Sequence, residues 1–348
     1  MKPSNRRLLV LALAVFAFVP TSAFAEGWKA GAAKVIITPE KLMWMSGYGG
    51  RNKPAEGKLI DLWAKAVVLE DAEGRRAALV TLDLVGIDRE VGLRIRHALE
   101  DKYGLKLEQT ALATSHTHCG PVVGGNLIAM YTLDEAQKQL IADYAVTLEQ
   151  KVTAAVGQAI ERLAPASIAW GNGQATFAVN RRNNKEAEVP KLREQGRLVG
   201  PVDYDVPVLS VRDGEGKLTA VVFGYACHAT VMGFYQWSGD YPGFAQLALE
   251  ETHPDAVALF WAGCGADQNP LPRREVELSK EYGKRLAAAV DRTLNGVMRP
   301  IEGDLDTSYA EVALPFEKLP TQAELEQTAA SKDKFEAGRA QLLLGQIA

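Results

Sequence analysis

Short apolar runs alternate along this chain with longer amphipathic ones. Lys34-Val35-Ile36-Ile37, Ala64 to Glu70 and Ala77 to Leu84 have the density of strands, and a charged turn at Gly74 joins the last two into a hairpin. Arg89 to Tyr103 places Val91, Ile95 and Leu99 on one helical face and stops at Gly104, after which Thr110 to Ser115 returns to strand. That is one β-α-β unit. Asp134 to Leu163 reads as a long helix, broken once and ending at Ala164-Pro165. The second half repeats the grammar: strands at Val206 to Val211 and Leu218 to Ala226 around an Asp213-Gly214-Glu215-Gly216 turn, a helix at Phe244 to Glu251, a strand at Ala256 to Trp261, and a helix at Ser279 to Leu294. The pattern predicts an α/β fold, a mixed β-sheet core covered by helices. Asn172 to Pro201 is polar and irregular and reads as a surface excursion. No break in composition forces two independent domains.

The first 25 residues stand apart. Lys2, Arg6 and Arg7 precede an unbroken apolar run of 12, Leu8 to Val19, and Ala23-Phe24-Ala25 has the small residues of a signal-peptidase site. A run of 12 falls short of the roughly 20 residues that span a bilayer, so cleavage before Glu26 and a secreted or periplasmic location are expected for residues 26–348. Losing three positive charges takes the formal charge from −4 to −7, which argues against a nucleic-acid partner recruited by overall basicity. No obligate protein partner is evident. Only three cysteines follow, too few for a disulfide framework, and each sits in a segment singled out below.

Three of the five histidines come directly after strand-like runs, where side chains emerge at a sheet's edge and ligands commonly bind. In Ser115-His116-Thr117-His118-Cys119-Gly120-Pro121, two histidines one residue apart in extended chain point to the same side. Both then reach one metal, or one binds metal while the other handles protons. Tyr225-Ala226-Cys227-His228 delivers a third. Gly263-Cys264-Gly265-Ala266-Asp267-Gln268-Asn269-Pro270 is a glycine-rich turn, either an ordinary β-turn or a place where backbone N–H groups face an oxyanion. His97 and His253 lie on a helix and in a polar turn. A Cys/His metal site through Cys119 and Cys227 is disfavoured, because neighbours in a strand face opposite ways.

In order, Gly47-Tyr48-Gly49, Ser115 to Pro121, Asn180-Arg181, a strand ending in His228, Gly239-Asp240 and Gly265-x-Asp267-x-Asn269-Pro270 resemble the amino-terminal catalytic domain of the neutral and alkaline non-lysosomal ceramidases, over nearly all of residues 30–316. The resemblance implies a zinc amidohydrolase that splits the N-acyl bond of ceramide-like lipids, with contact to a membrane surface. His116 and His228 would be zinc ligands, His118 the catalytic proton-handling histidine, and Arg181 a polar catalytic residue of the site.

Two departures qualify what is implied. Asn269 stands where the family has a serine, leaving an amide that binds substrate through hydrogen bonds but is no nucleophile. The family's remaining zinc ligands, a Glu and a Tyr, follow a long helical stretch, and this chain stops at Ala348 within one, so a fragment or a shortened member is expected. Catalytic zinc normally takes three protein ligands, which makes Asp83, Asp240 and Asp267 candidates for the third. The alternative to an active hydrolase is an exported, catalytically inactive binding or scaffold domain.

Overall fold

The computed structural model describes residues 27–347, so the expected leader lies outside the described residues. Eight strands form the main sheet: β1 (Lys29–Ile36), β2 (Trp63–Glu70), β3 (Arg76–Leu82), β4 (Thr110–Thr114), β5 (Ala164–Gln174), β6 (Asp205–Asp213), β7 (Leu218–Tyr225) and β8 (Val257–Ala262). Their order is β8-β7-β6-β5-β1-β2-β3-β4, and Arg299–Pro300 adds a short strand beside β5. The main helices are α1 (Arg89–Tyr103), α2 (Glu135–Glu161), α3 (Asp240–Thr252), α4 (Val276–Leu294), α5 (Gln322–Ala329) and α6 (Lys334–Ile347).

The order is a repeat. β1-β2-β3-α1-β4-α2 and β5-β6-β7-α3-β8-α4 follow the same course, with β1 and β5 side by side at the centre. Strands joined by turns pair antiparallel, whereas β3/β4 and β7/β8 are parallel because a helix carries the chain over between them. The halves curl until β8 reaches across to β1, β2, β3 and β4. Val67 and Leu69 of β2 meet Ile168, Val211, Val222 and Leu259 in a core between the halves. Ala64, Ala66 and Val68 alternate onto the other face and join the larger core with Leu148, Val152 and Ala155 of α2.

The predicted hairpin is β2–β3, with Val68 opposite Ala78. Helix α1 begins and ends where its spacing requires: Asp88 accepts a hydrogen bond from the Val91 N–H at 2.8 Å, and Gly104 closes the helix at φ 71°. Three expectations are corrected. Helix α2 runs unbroken over its 27 residues. Strand β1 begins at Lys29, five residues before the predicted run. Strand β5 occupies the predicted helix end and the start of the predicted excursion, and its glycines explain the difference. A Cβ on Gly171 would fall 2.8 Å from Thr293 Cγ2, and one on Gly173 would fall 2.5 Å from Thr293 Oγ1, because α4 lies directly on the strand backbone. Gly31 in β1 stands in the same relation to α2, where a Cβ would fall 2.1 Å from the Ala159 carbonyl oxygen. Nor is the rest of the excursion mere surface, since Ala178–Asn180 pairs antiparallel with Gln268–Pro270 and both Asn180 and Asn184 are buried.

Candidate metal centre and its cavity

The curl of the sheet brings the ends of β4 and β7 together. His116, His118 and His228 each offer a ring nitrogen, and these atoms lie within 4.8 Å of one another. The ring centroids of His116 and His228 are 4.8 Å apart. The two histidines of the first segment converge for a different reason from the one expected. Strand β4 ends at Thr114, and His116 adopts φ 58°, a left-handed turn rather than extended chain. That turn sets His116 Nδ1 2.8 Å from the carbonyl oxygen of Val85. His228 Nδ1 lies 2.7 Å from the carbonyl oxygen of Gly265.

A carbonyl only accepts, so each Nδ1 carries the proton and each Nε2 presents a lone pair. His118 Nε2 is 3.4 Å from His116 Nε2, while its Nδ1 is buried without a hydrogen-bond partner among the described residues. Burial, then the neighbouring imidazoles, drives His118 down to about 2. Burial also lowers His228 to about 4, opposed by the Gly265 hydrogen bond. Both rings are therefore neutral near pH 7, the form that binds a metal ion. Three converging imidazoles form a donor set suited to zinc.

None of the three aspartates joins them. Among the described residues, no carboxylate or thiol completes a group with these histidines. Asp83 is buried and accepts from the Trp63 N–H at 3.0 Å and the Gln246 amide at 3.2 Å. Asp240 accepts from the backbone N–H groups of Met232 and Tyr241. Asp267 takes a hydrogen bond from the Asn180 amide at 3.1 Å. Cys119 and Cys227 are buried free thiols, and burial raises Cys119 to about 12. His97 is exposed, and His253 pairs with Asp291 at 2.9 Å.

A cavity of about 510 Å³ opens beside the histidines between β4 and β8, lined by His116, His228 and Arg181 on its polar side and by Leu112 and Trp261 on its apolar side. Arg181 is anchored through Nε to the Ala266 carbonyl at 3.0 Å and through its own N–H to the Asp267 carbonyl at 2.8 Å. The buried side chain of Asn180 fixes that loop, donating to the Pro201 carbonyl and accepting from the N–H groups of Arg182 and Asn183. Asn269 is buried in the short strand opposite Val179, its Oδ1 without a partner among the described residues, and it is not among the residues lining the cavity.

Sequence reasoning passed over what holds His118 in place. Tyr48 meets its imidazole edge-on, with centroids 4.7 Å apart. Arg51 donates to its carbonyl oxygen at 2.7 Å. The Gly-Tyr-Gly match pointed to the loop, but nothing in the pattern marked Arg51.

The family model described as "Neutral/alkaline non-lysosomal ceramidase, N-terminal" matches residues 28–300. The neutral ceramidase of Pseudomonas aeruginosa is 27% identical over 334 residues, covering 88% of this chain and 47% of that protein. Neutral ceramidase 1 of Arabidopsis thaliana is 26% identical over 252 residues, covering 71% of this chain and 32% of that protein. Among solved structures, a ceramidase complexed with C2 superposes with a TM-score of 0.69 at 25% identity, over 80% of this chain and 46% of that one. The chain thus spans less than half the length of these relatives.

Proposed function

The chain belongs to the neutral/alkaline non-lysosomal ceramidase family, and on that premise we propose that it is an exported zinc-dependent hydrolase cleaving the N-acyl bond of a ceramide-like substrate. The observation that carries this reading is the convergence of three imidazoles, of which His116 and His228, their Nε2 lone pairs fixed by backbone carbonyls, line a half-apolar cavity. His116 and His228 would hold the ion, which would supply Lewis-acid chemistry there, polarising a carbonyl and making water a nucleophile near neutral pH.

His118 takes the proton from the attacking water and returns it to the amide nitrogen as the C–N bond breaks, so that water adds to the acyl carbon and a carboxylic acid and an amine leave. Arg181 donates a hydrogen bond from the cavity wall and orients the acyl oxygen. Leu112 and Trp261 receive apolar substrate and exclude bulk water. Asn269, buried off the cavity, takes no part in this reaction.

The experiment is elemental analysis of the purified chain, followed by N-acyl hydrolysis with and without chelator. One zinc per chain and chelator-sensitive release of fatty acid are expected. A metal-free chain that binds ceramide without turning it over overturns the hydrolase and leaves the binding domain.

A further inference from the structure

Two of the three histidines are oriented by hydrogen bonds at Nδ1, and the third is not. His116 and His228 rest on the carbonyls of Val85 and Gly265, while His118 Nδ1 is buried and unpartnered among the described residues. An imidazole without such a bond turns about its side-chain torsions unless something else fixes it. Around His118 that role falls to Arg51.

Arg51 is only 5% exposed and has no carboxylate in ion-pairing range among the described residues, its titratable surroundings being Cys119 and tyrosines. Its guanidinium instead gathers three backbone carbonyls from segments far apart in sequence: Ser46 through Nη1, and His118 at 2.7 Å and Phe234 at 3.3 Å through Nη2. It also stacks near Tyr48 and Tyr235, at 5.0 and 5.8 Å from the ring centroids. Burying a guanidinium without an anion is costly, and here the two Nη atoms and the π faces offset that cost through planar donors a lysine ammonium lacks, while Nε is buried without a partner among the described residues. The Tyr48 ring beside the guanidinium presses edge-on against His118, and the Tyr48 hydroxyl is tied to the Met232 carbonyl at 2.9 Å.

We propose that Arg51, through Tyr48 and the His118 carbonyl, is the positioning residue that fixes the His118 imidazole in place of the hydrogen bond its two partner histidines have. The inference rests on reading the histidines as the working centre, and its test is read without turnover.

Arg51→Lys and Tyr48→Leu are compared with wild type by imidazole 1H–15N spectra of the metal-free protein, with His118 assigned through His118→Gln. Wild type should show one tautomer and one sharp set of His118 resonances. In each variant the His118 resonances should shift or broaden while those of His116 and His228, and the zinc affinity those two set, stay as in wild type. His118 resonances unchanged in a folded Arg51→Lys protein overturn the proposal, whatever happens to its melting temperature. If Arg51→Lys does not fold, Tyr48→Leu carries the same two outcomes. A wild-type chain with these spectra but no N-acyl hydrolysis overturns the proposed reaction alone.

Discussion

Gly47 and His118 touch so closely that a Cβ on Gly47 would fall 2.4 Å from His118 Cγ, and Gly47 holds φ 99°. The absence of a side chain on the loop is thus what leaves room for the imidazole. Gly47→Ala should cost about 1–2 kcal/mol from the backbone alone and push the ring aside. The expected result is a folded protein that keeps zinc and loses N-acyl hydrolysis, measured as zinc content and kcat on one sample; wild-type kcat in the variant would show that the ring has slack.

Removing the ion separates the roles of the histidines. His116→Ala and His228→Ala should each abolish stoichiometric zinc at micromolar protein, and saturating zinc at about 100 times its Kd should stabilise wild type by about 2.7 kcal/mol. His118→Gln should keep zinc and lose turnover if His118 moves the proton, and lose both if it is the third ligand. Zinc content and kcat measured on the same sample decide.

Asn269→Ser is expected to change N-acyl hydrolysis by less than about threefold, because the residue is buried off the cavity and a new hydroxyl there would not meet the acyl carbon. Gaining a working nucleophile is worth several powers of ten in rate. An increase of that size would place position 269 in the chemistry.

Burial raises Asp240 from 3.8 to about 6, opposed by hydrogen bonds from the Met232 and Tyr241 N–H groups and the Ser279 hydroxyl. Since the folded value lies above the unfolded one, the folded state holds its proton longer, and stability falls as pH rises from about 4 to about 6 before levelling. The slope is about 1.4 kcal/mol per pH unit, or about 3 kcal/mol over that window. Asp240→Asn should remove this component. Denaturant unfolding of both proteins at pH 4.5 and 7 checks it, and parallel pH profiles would refute it.

Lys65 is 1% exposed and bonds Glu250 at 2.7 Å and the Ala258 carbonyl at 2.9 Å, joining β2 to α3 and β8. Lys65→Met leaves Glu250 with Lys34, at 2.6 Å, as its one ion-pair partner and the Ala258 N–H, at 3.2 Å, and should destabilise by about 3 kcal/mol. Equal stability of the variant in urea would mean that Lys34 alone neutralises the carboxylate.

What the sequence made legible was local. Helix α1 carries its own cap, face and stop in Asp88, Ile95 and Gly104, and the β2–β3 hairpin carries its turn at Gly74, so both followed from nearest neighbours. Strand β5 did not, because Gly171 and Gly173 answer to a helix more than a hundred residues later. The histidines were found by type and place, yet a left-handed His116 has no mark in the pattern, and the aspartates offered as a third ligand turned out to be held by backbone and amide groups elsewhere. Arg51 was illegible for the same reason as β5. Its partners are carbonyls, which every residue has.

The repeated topology bears on the order in which this molecule is put together. His116 and His118 follow β4 in the first repeat, and His228 follows β7 in the second. Each repeat on its own is short of the full donor set, so tight ion uptake can come only after the halves have closed on each other. The loop between the two ligand segments is long, but its closure cost grows only logarithmically with length. Were the site to take zinc as proposed, its capture would be a clock for the last stage of folding: zinc should bind late, with the burial of Val67 and Leu69 against Val222 and Leu259, and its loss should unlock the seam between the halves before either half melts.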